Sequence, residues 1–260
     1  MAPMSRLSSY ASVAYWDARY QQCALGARDE DGDHDPRREL TFDWLAMADD
    51  VLPYMQTTPA DLADGNGRIL EVGCGNSTLA QTLSDAGFRD ILAVDFSETV
   101  VQMMDESKPP GSTVRYAVAD CRDMRGVVGE DSCVAVVDKG LLDAVLNDFD
   151  QAVWWEKSAS RRITRDNPEG SRDRGCPYDG ETSRAEALKV VAEFARVLHD
   201  GAELLVVSYE PPSGRTWLFE EDGKVWQQTF EPEEDDAGNF VYRYRRKART
   251  AVPTGLYEMD

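Results

Sequence analysis

Five short apolar runs punctuate the chain: Ile69–Val72, Ile91–Val94, Val114–Val118, Val134–Val137 and Leu204–Val207. Each is followed within three residues by a glycine or an acid. Runs of this length, rich in Val, Ile and Leu, predict strands buried on both faces of a helix-covered parallel sheet. Helical spacing fills the gaps. A helix is expected from about Ser77 to Ala86, with Asn76 or Ser77 as its cap and Gly87 as its stop. Ser97 caps a second, whose inner side holds Val100, Val101 and Met104. Leu188, Val191, Phe194, Ala195 and Leu198 mark a third, opened by the capping box Ser183-x-x-Glu186 and closed by His199-Asp200-Gly201. Leu141–Leu146 reads as a short amphipathic helix. From Asn147 to about Gly180 the rhythm stops, and Arg161, Arg162, Arg165, Arg172 and Arg174 are expected in a long polar insertion, most simply solvated coil. Val225–Phe230 and Phe240–Tyr244 alternate and predict two antiparallel strands about an acidic turn at Glu233–Asp236. Upstream, Tyr15–Tyr20 predicts a helix with Trp16 and Tyr20 on one side. Leu40–Leu45 opens another that should end before Pro53. Together these elements describe a single α/β domain over 1–260, with N-terminal aromatic helices across 10–55 and an insertion at about 147–180.

Bulk composition narrows the function classes. The 260 residues are 42% hydrophobic, enough for one sizeable core. No run approaches the roughly 18 apolar residues of a membrane span, and the N-terminus lacks the apolar core of a secretory signal. Five cysteines, odd in number and never in a C-x-x-C pair, favour a reducing, cytoplasmic setting and argue against zinc. The acid run Asp29–Pro36 reads as a solvated loop; its His34 and the distant His199 do not suggest a metal pair, and no metal is expected. A formal charge of −20 repels nucleic acid and anionic membranes and attracts basic partners.

The chemistry gathers at the strand ends. Gly73 and Gly75 follow the first strand and let the backbone turn sharply beside a ligand. A dinucleotide fingerprint would place a third glycine where Thr78 stands, but its acid about 20 residues on is present as Asp95, ending the second run. Asp120 and Asp138 follow the third and fourth. In an open parallel sheet such ends converge on one crevice, and a nucleotide-like ligand is expected there.

The segments Glu71-Val72-Gly73-Cys74-Gly75-Asn76-Ser77, Ala93-Val94-Asp95-Phe96-Ser97 and Val137-Asp138-Lys139-Gly140-Leu141-Leu142-Asp143-Ala144 resemble the class I S-adenosylmethionine-dependent methyltransferases. The last of them, with Trp16-Asp17-Ala18-Arg19-Tyr20, is similar to the branch containing the protein-lysine methyltransferases of elongation factor 1-alpha. The resemblance implies a Rossmann-like, seven-stranded sheet, mostly parallel with an antiparallel last strand and helices on both faces. It implies S-adenosyl-L-methionine as cofactor, with Gly73 and Gly75 at its methionine end beside the amides of the following helix. Asp95 and Phe96 would lie at the ribose, and Asp120 and the Cys121 amide at the adenine. Trp16, Tyr20 and Trp44 would close over it, and Lys139 would pair with its carboxylate. Bland alternatives stand beside these: Trp44 as core, Cys121 as a buried filler, Lys139 in a salt bridge to Asp138 or Asp143. Asp138 and Asp143 are the acids placed to orient an acceptor amine. Protein-lysine methylation of a basic partner leads; a small-molecule acceptor or a non-catalytic cofactor-binding module are the alternatives.

Overall fold

A computed structural model describes residues 9–25, 40–56, 67–162, 176–220 and 224–249. The expected acid loop at 29–36 and Arg165, Arg172 and Arg174 lie outside the described residues. Seven strands form one sheet: β1 Arg68–Val72, β2 Asp90–Asp95, β3 Val114–Val118, β4 Cys133–Lys139, β5 Leu198–Ser208, β6 Trp226–Glu234 and β7 Phe240–Arg246. Their order is β3-β2-β1-β4-β5-β7-β6. The first five are parallel, and β7 runs antiparallel to both β5 and β6. The sheet therefore has the expected type, reversed at its last pair.

Alternation divides the core between the sheet's faces. Leu70, Val72, Leu92, Val94, Val136 and Leu204 pack against Leu142, Leu146, Val190 and Phe194 on one side. Ile69, Ile91, Ala93, Val137 and Leu205 pack against Val51, Met55, Leu79 and Leu83 on the other. The helices covering these faces are α1 Val13–Leu25, α2 Ala48–Gln56, α3 Leu79–Asp85, α4 Glu98–Ser107, α5 Leu141–Arg162 and α6 Gly180–Val197. Two short turns, α7 Pro212–Arg215 and α8 Trp217–Glu220, follow β5. Burying each such aliphatic side chain contributes about 1.5–3 kcal/mol, which fixes both the strand register and the helix faces.

Several expectations are corrected. Leu40–Leu45 is not helical, and the helix that follows runs through Pro53 to Gln56. One lost ladder bond at proline is outweighed by the burial of Val51 and Met55 on the same face. The break expected after Leu146 is absent, because the helix runs for 22 residues in all, from Leu141 to Arg162. Phe149 extends the stripe of Leu142, Val145 and Leu146 onto the core, and packing overrides the polar residues between them. Ser183 does not open α6. Asp179 is the cap, accepting from the Thr182 amide at 3.0 Å, while the Ser183 hydroxyl donates to the Val145 carbonyl at 2.7 Å and ties α6 to α5. His199–Gly201 belongs to β5 rather than to a separating turn. Glu233 and Glu234 extend β6, so the reversal sits at Asp235–Asn239, where the Asp235 carboxylate accepts from two backbone amides. Among the described residues no helix is long and apolar enough to cross a membrane.

Candidate functional site

Where the sheet order reverses, between β1 and β4, the strand ends open on a cavity of about 440 Å³. That size is ordinary for a small-molecule site. All ten residues expected at a cofactor line it: Trp16, Tyr20 and Trp44 from the N-terminal segment, Gly73 and Gly75 after β1, Asp95 and Phe96 after β2, Asp120 and Cys121 after β3, and Lys139 at the end of β4. Asp143 also lines it; Asp138 does not.

The glycine turn is held by the neighbouring strand. Gly73 and Gly75 have φ of +59° and +51°, a left-handed conformation that strains any side chain. A Cβ at Gly73 would come within 2.9 Å of Leu141, and one at Gly75 within 2.8 Å of the Tyr20 hydroxyl. The Gly75 amide donates to Asp95 Oδ2 at 3.0 Å and the Ser97 amide to Oδ1 at 2.9 Å. Asp95 thus shapes the turn and still keeps acceptor capacity toward the cavity. Burial raises its carboxyl to about 6 despite those amides. The Ser97 hydroxyl donates to Asp17 at 2.5 Å, pinning α1 over the end of β2. Helix α3 begins later than expected, at Leu79, and its first amide is already met by the Ser77 hydroxyl at 3.1 Å. It is therefore not free for a ligand carboxylate.

Sequence reading missed the strap at 40–45, an irregular segment whose register only the tertiary fold sets. Phe42 donates its amide to the Asn76 carbonyl at 2.9 Å. Asp43 accepts from the hydroxyls of Ser77 (2.6 Å) and Thr78 (2.7 Å), and pairs with Lys139 Nζ at 3.0 Å. Lys139 also donates to the Trp44 carbonyl at 3.1 Å. Its partner is thus Asp43, not Asp138 or Asp143. Both side chains of this pair are nearly inaccessible, at 4% and 2%. Burial by itself would raise the Asp43 carboxyl, but Lys139 and the two hydroxyls bring it below the ordinary value. Above the strap the aromatics interlock. Trp16 stacks on Tyr20 at 5.7 Å, donates its indole N–H to the Tyr10 carbonyl, and meets Trp44 edge-on at 6.1 Å. Arg19 lies 4.8 Å over Trp44.

Glu71 is the other feature without an expected role. It faces the cavity from inside an apolar strand, is 1% exposed, and its Oε2 is buried without a hydrogen-bond partner. Burial lifts its carboxyl to about 8 against the opposing pull of Lys139. An acid in an otherwise apolar run was the available signal. The Asp120 carboxylate is gripped by Arg122, with contacts of 2.8 and 2.6 Å, and Arg122 reaches on to Glu186 at 3.0 Å. Burial pushes the Cys121 thiol up, so it is not a reactive thiolate. Asp138 is wholly buried and accepts from the Leu141 and Leu142 amides at 2.7 and 3.1 Å; burial, then Asp143, raises it to about 7. Its oxygens hold the start of α5, so it acts on the site through that helix. Asp143 accepts from the Ser208 hydroxyl, the Tyr209 amide and Arg215.

Known proteins bear on this geometry. Residues 69–157 match the methyltransferase-domain family model. The human eEF1A lysine and N-terminal methyltransferase is 32% identical over 148 residues, 55% of this chain and 18% of that protein. The chain therefore spans about a fifth of that relative's length. The mitochondrial citrate synthase-lysine N-methyltransferase of Pongo abelii is 26% identical over 240 residues, covering 85% of this chain and 80% of that one. Among solved structures the [4+2]-cyclase SpnF superposes with a TM-score of 0.55 at 15% identity over 95% of this chain and 98% of its own, a likeness of fold alone. Sheet order, switch-point cavity and sequence likeness agree: the chain carries a methyltransferase domain over residues 69–157 and resembles the class I S-adenosylmethionine-dependent methyltransferases of the branch containing the eEF1A lysine methyltransferases.

Proposed function

We propose that this protein transfers a methyl group from S-adenosylmethionine to a lysine side chain of a basic protein, in the cytoplasm. The observation that carries the reading is the meeting of Gly73, Asp95 and Asp120, from three adjacent strand ends, on one cavity. The orphaned acceptor Oε2 of Glu71 and the buried, unpartnered indole N–H of Trp44 suit a ligand that bears both an ammonium and a carboxylate. Glu71 would hold the ammonium, Asp95 the ribose hydroxyls, and Asp120 with the Cys121 amide the adenine. Trp16, Tyr20 and Trp44 would exclude water, and Lys139, neutralised by Asp43, would set the wall behind the methionine end rather than carry a free charge to it.

Bound S-adenosylmethionine supplies a methyl on a sulfonium whose leaving group is already in place. The chain's own task is to align and desolvate the acceptor. A lysine ammonium, ordinarily near 10.4, must pass its proton to water or a nearby carboxylate before its nitrogen attacks the methyl; burial beside positive charge favours that loss. Asp143, on the cavity wall, orients the amine, and Asp138 fixes the helix that carries Asp143. The charge of −20 fits a basic acceptor, and the lysine methylation named for both relatives above supports the choice of amine.

Isothermal titration tests the first half: micromolar binding of the cofactor is expected, lost in Asp95→Ala, and no binding by the wild type refutes it. Methyl-labelled cofactor in cell extract tests the second. Label is expected in lysines of basic proteins, eEF1A included; label confined to small molecules overturns the protein-lysine reading.

A further inference from the structure

Beyond the cofactor half of the cavity, at the end of β5, a charged network backs its wall, and of its members only Asp143 has a role so far. Arg215, on α7, is a wholly buried guanidinium. Its Nη2 meets Asp143 Oδ1 at 2.8 Å and Asp150 Oδ2 at 2.7 Å; its Nε reaches Asp143 Oδ1 at 3.1 Å and its Nη1 reaches Asp150 Oδ1 at 3.0 Å. The Tyr209 hydroxyl donates to Asp150 Oδ2 at 2.7 Å, and the Arg215 guanidinium lies 5.5 Å from the Tyr209 ring centre. Asp143 and Tyr209 line the cavity.

Two properties of this arrangement point the same way. One guanidinium faces two carboxylates, so these three groups carry a net negative charge; Glu210 adjoins them and has Lys157 as a cation of its own nearby. A buried charge left uncompensated is unfavourable, and a cationic ligand removes the imbalance. The acceptor capacity is also directional. Asp143 Oδ1 takes three donors, the Ser208 hydroxyl and two guanidinium nitrogens, whereas Oδ2 takes one, the Tyr209 amide. A carboxylate oxygen accepts about two hydrogen bonds, so the spare acceptor is Oδ2.

We propose that Asp143 and Tyr209, backed by Asp150 and held in place by Arg215, form the site for the acceptor's ammonium, admitting one cationic side chain in preference to a neutral one. The proposal rests on the protein-lysine reading above and names the groups that would select its substrate. Asp143 touches the amine; Arg215 is a positioning residue that keeps both carboxylates aimed. Neutral hydroxyl or thiol acceptors leave the surplus charge unmet and are disfavoured.

The test uses the full chain saturated with S-adenosylhomocysteine and two probes, Nα-acetyl-lysine amide and its uncharged analogue lacking the terminal nitrogen, Nα-acetyl-norleucine amide, titrated calorimetrically. Wild type is expected to prefer the lysine probe by about tenfold or more, the scale of a hydrogen bond to a charged group. Asp150→Asn cancels the surplus charge at nearly constant shape and should reduce the preference to about twofold or less. Arg215→Lys should keep the preference. Arg215→Gln, although it makes the site more negative, should lose it, because the carboxylates are no longer aimed. Homocysteine-cofactor affinity, measured on every variant, reports folding separately. Equal binding of the two probes to wild type overturns the proposal with no variant needed. So does a preference that survives in Asp150→Asn or in Arg215→Gln with cofactor affinity intact. Failure of wild type to bind S-adenosylhomocysteine refutes the methyltransferase reading instead, so the two failures are distinct.

Discussion

Glu71 offers a direct test of how the cavity takes its cofactor. Its carboxyl, ordinarily at 4.5, is raised to about 8 by complete burial in β1. At pH 7 about nine-tenths of the molecules therefore carry it protonated. An ammonium against Oε2 favours the charged form and draws the carboxyl back down. Cofactor binding should then release Glu71's proton: about 0.9 per protein at pH 7, about 0.5 at pH 8 and about 0.1 at pH 9. Asp95, raised only to about 6, is already about nine-tenths ionised at pH 7 and adds about 0.1. The sign for affinity follows. The logarithm of the association constant should rise with pH at a slope of about 0.8 near pH 7, pass through a maximum near pH 8, and fall above it as the cofactor's own amino group loses its proton. Glu71→Gln exchanges a neutral acid for a neutral amide of the same shape, so the cofactor-free fold should change by less than about 1 kcal/mol. The cofactor loses a charged hydrogen bond worth about 1.5–3 kcal/mol, a drop of about ten- to hundredfold. Calorimetry at pH 7 in two buffers of different protonation enthalpy counts the protons, and subtracting the variant cancels those of the cofactor's own amino group. A wild-type minus variant difference below about 0.3 protons, or unchanged affinity in Glu71→Gln, refutes the assignment of the ammonium to Glu71.

Three further outcomes follow from other parts of the site. Asp43→Ala strands the buried Lys139 ammonium and should cost about 3–5 kcal/mol in urea unfolding, with most of the loss recovered by adding Lys139→Met; a single-variant cost under about 1 kcal/mol would contradict the geometry of the pair. Gly73→Ala forces a side chain into left-handed backbone and against Leu141, which should lower stability by about 2–4 kcal/mol, read by urea midpoint, and abolish cofactor binding. Asp138 has its folded value raised from 3.8 to about 7, so its contribution is fully present below the unfolded value and is lost as pH rises through 7. Thermal melts across pH 4–8 should show that decline flattened in Asp138→Asn, and identical profiles for the two proteins would remove Asp138 as its source.

How much could be read in advance differs from element to element. Four of the five parallel strands were legible because both faces are buried where their apolar runs lie, so continuous apolar runs carry the signal whatever packs on them, while the half-exposed edge strand β3 was legible from its β-branched and aromatic residues. The glycine turn after β1 and the acids at the ends of β2 and β3 were legible because a parallel sheet places all its strand ends on one edge. Helix limits were not. Pro53 lies inside α2, and α5 runs through Asn147 and Asp148, since the cost of one lost ladder bond or a few polar residues is smaller than the gain from burying Val51, Met55 and Phe149.

The order of residues alone determined the sheet, most of its helices though not their limits, and the kind of ligand at its edge, because these follow from local periodicity and from backbone geometry that only glycine adopts readily. The pairing of Lys139 with Asp43, 96 positions away, and the clamp of Arg215 on Asp143 and Asp150 were decided only in three dimensions. A charge chooses its partner by distance in a low-dielectric interior, and sequence separation carries no information about that distance.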